Sequence, residues 1–139
     1  MRRCFIFAYN PKHMNVHYQT DTNRVEWYLR ENNKWLKEIN RQMMELDELS
    51  HHLHTIDPKD TIDADCLNDL IRKQHQESIR LNDAIYMQQS RLIDDEANHR
   101  IDDIDALCTQ DLLRNRVKEN EKKHIDLKCD LMQYFSNAL

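Results

Sequence analysis

The chain of 139 residues contains no glycine and only two prolines, Pro11 and Pro58. Glycine supplies the positive φ of tight hairpins, phosphate-cradling loops and left-handed caps. Its absence argues against Rossmann folds, P-loops and most β-sandwiches together. It also rules out the G-x-S-x-G nucleophile elbow. With two breakers in the whole chain, helix can run almost without interruption.

Long apolar runs are missing too. The longest, Cys4–Tyr9, falls far short of the roughly 20 residues that span a bilayer. Arg2 and Arg3 before it imitate the charged start of a signal peptide, but the run is too short for its apolar part and no small-residue cleavage site follows. Paired cysteine spacing is absent: Cys4, Cys66, Cys108 and Cys129 are scattered. That suggests neither a zinc knuckle nor a redox pair, but reduced, partly buried thiols in a cytosolic protein. A basic surplus is also missing. Net charge is −5 with both signs interspersed, which does not suit a non-specific nucleic-acid binder. The densest basic stretch, Arg114 to Lys123, is broken by Glu119 and Glu121 and is read as a solvated helix face. The chain is expected in the cytoplasm, off both membranes and nucleic acid.

What is present is charge and heptad order. Charged residues are 32% and hydrophobic residues 40% of the chain, which suits helices with one apolar stripe and a wide solvated face. Residues 1–19 differ from the rest and read as an extended arm. Met14 offers an alternative start, with 1–13 as an upstream extension. The first strong signal covers about residues 21–56. Positions Leu29, Leu36 and Met43, with Val25, Ile39, Leu46 and Leu53, recur at spacings of three and four. Asn32 and Ser50 sit on the same stripe, and Trp27, Tyr28 and Trp35 widen it. Asn23 with Glu26 forms a capping box.

Asp57-Pro58-Lys59-Asp60 is the clearest turn, with Pro58 suited to a first helical position. A second helix over about 58–97 carries Leu67, Ile71, Gln74, Ser78, Leu81, Ile85, Gln88 and Leu92 on its stripe. Its polar members weaken the seam. The expectation is a shallow seam with Gln74 and Gln88 reaching water; the alternative is that they set register by hydrogen bonding across it. A third helix over about 100–138 carries Leu113, Val117, Asn120, His124, Leu127, Leu131 and Tyr134, widened by Met132 and Phe135. Aspartates crowd 94–105, and aspartate is a good cap and a poor helix-interior residue. A turn within 94–103 is therefore expected, the alternative being one unbroken helix from 58 to 138. No repeat of fixed period is visible.

Eight histidines justify a search for metal ligands. Glu48/His51, Glu96/His99 and Glu121/His124 match E-x-x-H, a spacing that places both side chains on one helix face, as in di-iron bundles. The candidates are Glu121, His124, Glu96 and His99, with Glu38 and Glu45 as further carboxylates. Glu48 and His51 point away from their seam, and Glu96 and His99 fall in the expected turn. Solvated surface histidines without a cofactor are the favoured reading. His51, His52 and His54 close the first helix, where histidine complements the helix dipole.

Leu113-Arg-Asn-Arg-Val-Lys-Glu-Asn-Glu-Lys-Lys-His-Ile-Asp-Leu-Lys, continuing to Phe135, resembles the closing helix of small uncharacterised helical proteins of Bacteroidetes bacteria. Trp35-Leu36-Lys37-Glu38-Ile39 resembles their first helix, and Gln74-His75-Gln76 a Gln-rich segment of their middle one. The likeness covers about residues 14–139. It implies a helical cytosolic protein and carries no mechanism.

The reading is an all-α, elongated antiparallel three-helix bundle or helical hairpin with coiled-coil character: an arm over 1–19 and one helical domain over 20–139. A non-enzymatic interaction or scaffold protein follows, self-associating as a dimer through Leu29, Leu36, Ile39, Met43 and Leu46. The alternatives are a metal-binding ferritin-like bundle and a secretion-type helical chaperone.

Overall fold

The computed structural model describes residues 14–56, 61–98 and 103–138, with side chains placed for 24–56, 62–98 and 104–137. Three helices account for them: α1 (Met14–Thr55), α2 (Thr61–Ala97) and α3 (Asp103–Ala138). At 1.5 Å rise, the 42 residues of α1 make a rod of about 63 Å. All three helices pack on one another, α2 antiparallel to both neighbours. The fold is an all-α three-helix bundle.

Helix bounds differ from expectation mainly at the start. α1 begins at Met14, so residues 14–19 are helical and not part of an arm. Nothing between Pro11 and Asn23 breaks a helix, so the Asn23/Glu26 pair lies inside α1 and caps nothing. Residues 1–13 and the Asp57–Asp60 turn lie outside the described residues. The break expected within 94–103 is present. α2 stops at Ala97, where the Asn98 side-chain amide donates to the Asp94 carbonyl at 2.8 Å. The Arg91–Asp105 ion pair then ties the end of α2 to the start of α3.

The heptad stripes become the core. Val25, Asn32, Ile39, Leu46 and Leu53 of α1 are all buried at seven-residue spacing. Every position read onto the α2 stripe is buried as well. On α3, Phe135 takes the closing core position that had been assigned to Tyr134, which is half-buried. Met132 and Trp27 do not widen their stripes; both are exposed.

The core is divided along the rod. Val25, Tyr28 and Leu92 form one apolar cluster, with Leu29, Ala106 and Leu107 against it. Leu36, Ile39, Leu81, Ile85 and Leu113 form a second, flanked by Trp35, Met43 and Val117. The third and largest contains Leu46, Leu53, Leu67, Ile71, Leu127, Leu131 and Phe135. Buried polar side chains fill the gaps between them.

The expected dimer contacts therefore need correction. Leu36, Ile39 and Leu46 are core residues of their own chain, and Leu29 and Met43 pack against it. Residues of α3 complete the apolar cover of α1 in all three clusters.

Candidate functional site

Two belts of polar side chains separate the apolar clusters, and they hold the chemistry of the interior. In the first belt each helix contributes an amide: Asn32 from α1, Gln88 from α2 and Gln110 from α3. Gln110 Nε2 donates to Asn32 Oδ1 at 2.7 Å and to Glu31 Oε1 at 2.8 Å. Its Oε1 accepts from Gln88 Nε2 at 3.4 Å. Both faces of the Gln110 amide are thus used, which a side chain with no access to water requires. Arg114, one turn further along α3, closes the belt from outside. Its Nε and NH2 groups hold Glu31 at 3.1 and 2.7 Å, and it also pairs with Asp111. The guanidinium lies 5.8 Å from the Trp27 ring centroid and 6.0 Å from that of Trp35. A planar, delocalised cation suits such stacking with bidentate pairing. Hydrogen bonding to Glu31 raises the Arg114 pKa against the opposing effect of burial.

In the second belt, Gln74 Nε2 donates to Asn120 Oδ1 at 3.0 Å, and Asn120 Nδ2 donates to Ser78 Oγ at 3.3 Å. Toward the third cluster follows His124, only 3% exposed. Its Nε2 lies 3.1 Å from Glu45 Oε1. A carboxylate can only accept, so Nε2 carries the proton there. Lys128 Nζ reaches the same oxygen at 2.9 Å, and Arg41 reaches Oε2 at 3.1 Å. Hydrogen bonding from Lys128 and then from His124 holds the Glu45 carboxyl below its ordinary value, outweighing burial, which acts the other way. His124 Nδ1 is buried with no hydrogen-bond partner.

A third set of polar contacts runs outside the core, between α1 and α2. Asn33 accepts from Gln89 at 3.2 Å and Asn40 from Asn82 at 3.2 Å, and Asp47 lies 2.9 Å from His75. Successive rungs are seven residues apart on both helices and run in opposite directions, so the antiparallel register is legible from this ladder alone.

The expected metal ligands do not converge. His124 is buried, but Glu121 is exposed; Glu45, read only as a spare carboxylate, is the partner of His124. Lys128 sits where a cation would have to bind. Glu96 is half-buried, and His99 lies outside the described residues. Glu48, His51, His52 and His54 are exposed. Among the described residues no group of three or more His, Cys, Asp or Glu side chains is placed to hold a metal ion.

Three further readings change. Gln74 and Gln88 do not reach water; both are buried and bonded across the seam. Arg114 is not part of a solvated face, although Arg116, Lys118, Lys122 and Lys123 are. Among the described residues Cys66 and Cys129 are exposed free thiols and Cys108 is partly buried; Cys4 lies outside them. Glu31, Gln110 and Arg114 were missed as a site. The one available signal was that Gln110 lies on the Leu113–Leu131 heptad line extended backward.

Among the described residues, no helix is long and apolar enough to cross a membrane. A scan of protein-family models and searches of curated proteins and of solved structures find no match to this chain.

Proposed function

We propose that this chain is a non-enzymatic helical interaction protein that self-associates in the cytoplasm. The observation that carries the reading is an apolar outer face on a bundle whose core is already closed. Ile79, Tyr86, Met87 and Ile93 of α2 are 49%, 53%, 73% and 52% exposed. Scattered surface hydrophobics are ordinary, but apolar residues repeating on one face of a finished bundle mark a contact surface. The polar belts support the same reading. Their hydrogen bonds are spent on joining the three helices, which makes a rigid rod with a defined outer surface.

The test is the mass of the full chain in solution. Sedimentation equilibrium at rising concentration should show an average mass climbing above the 16.9 kDa of one chain. A mass fixed at one chain across the micromolar range defeats self-association.

A further inference from the structure

We infer that a second copy of this chain docks on the outer face of α2, antiparallel about a twofold axis at Tyr86; this rests on the self-association reading and names its surface. Ile79, Tyr86 and Ile93 stand seven residues apart, so they line one side of α2 with Met87 beside the centre. The spacing is symmetric about Tyr86. An antiparallel twofold therefore brings Ile79 of one copy to the level of Ile93 of the other, and Tyr86 to its own counterpart.

Charge is complementary across the same axis. Arg80 and Asp94 lie on one flank of the stripe, on opposite sides of its centre. In an antiparallel isologous contact the same flanks of the two helices face each other. With the axis at Tyr86, Arg80 of each copy falls two residues, about 3 Å of helix rise, from the level of Asp94 of the other, which the long arginine side chain spans, so one operation gives two complementary pairs. Arg80 NH1 is 3.6 Å from Glu77 within α2, and Asp94 accepts from Asn98 at 3.3 Å. Ser90, exposed and short, leaves room between the Tyr86 and Ile93 contacts.

The area agrees with a dimer of moderate strength. The four apolar side chains expose on the order of 500 Å² per copy, so two copies with their flanks reach about the 1,000–1,200 Å² at which specific interfaces begin. No other face of the described bundle carries three large apolar residues in heptad line. Leu112, Ile125 and Met132 of α3 are exposed but do not share one such line.

The experiment is sedimentation equilibrium of the full chain and three variants, with helicity checked by circular dichroism. The wild type should dimerise with a micromolar dissociation constant. Ile79→Asp with Ile93→Asp should weaken dimerisation by at least about tenfold and leave helicity unchanged, since both positions face water in one chain. Arg80→Asp should weaken it, and adding Asp94→Arg should restore it. A wild type that stays monomeric overturns both the self-association reading and this one. A dimer indifferent to Ile79→Asp and Ile93→Asp overturns this face alone and leaves self-association standing. A double charge reversal weaker than the single one overturns the antiparallel arrangement.

Discussion

Gln110 of α3 donates to Asn32 of α1 at 2.7 Å, and both side chains are fully buried. The two residues are 78 positions apart in sequence and meet at one level of the rod. With Gln88 they make a layer that admits a single alignment of the three helices. A one-heptad slide of α3 would put Gln110 into an apolar cluster and Val117 among the amides.

Gln110→Ala should therefore be costly. It leaves the buried Asn32 Oδ1 without its donor and takes one of two acceptors from Gln88 Nε2, which keeps the Ala106 carbonyl; an unsatisfied buried group costs about 1–3 kcal/mol. Urea denaturation should show a loss of about 2–4 kcal/mol. Replacing Asn32, Gln88 and Gln110 together by Leu should recover much of that loss while broadening the amide NMR spectrum, as helix register loosens. A Gln110→Ala variant as stable as the parent would show that the layer carries no strain of unmet bonds.

Leu36→Asp should unfold the bundle. Leu36 is 6% exposed and sits in the central cluster with Ile39, Leu81, Ile85 and Leu113. A carboxylate there, without a partner, costs several kcal/mol. Leu112→Asp, at an exposed position on α3, is the matched control and should melt with the parent. Equal melting of the two variants would contradict the core assignment.

Acid should destabilise the fold through Glu45 and Glu38. The carboxyl of Glu38 is also held below its ordinary value, chiefly by hydrogen bonding from Arg41. The reference value for both is 4.5. A carboxyl with a lowered folded pKa contributes stability that is fully present above the unfolded value. That contribution is lost as pH falls through the folded value. Thermal melts should thus fall steeply between about pH 5 and pH 3. Glu45→Gln should be less stable than the parent at pH 7 and closer to it at pH 3. A constant gap between the two across that range would exclude the Glu45 contribution.

Metal should be substoichiometric. His124 Nε2 already bonds Glu45, and Lys128 shares that carboxylate. Elemental analysis of protein purified without chelator should find iron, manganese and zinc each well below one equivalent. A stoichiometric metal that disappears in His124→Ala would reverse this assignment and revive the ferritin-like alternative.

The sequence by itself determined the helices and their seams. No glycine, two prolines and heptad spacing left few other outcomes, and the α2 stripe was legible residue by residue from Leu67 to Leu92. The break before α3 was legible from its aspartates, because local capping chemistry is read locally. The first end was not: the Asn23/Glu26 pattern satisfies a cap motif, yet nothing upstream stops the helix before Met14.

Tertiary structure decided what the polar seam residues do. A glutamine on a heptad stripe reads the same whether it reaches water or a neighbour. Only the arrival of Asn120 beside Gln74, and of Gln110 beside Gln88, makes burial tolerable. The same holds for His124, whose partner came from another helix 79 residues away, while its E-x-x-H neighbour Glu121 points outward. Spacing along one helix fixes which face a side chain shares. What lies opposite that face is set by how the three helices align, and that alignment is a property of the packed bundle.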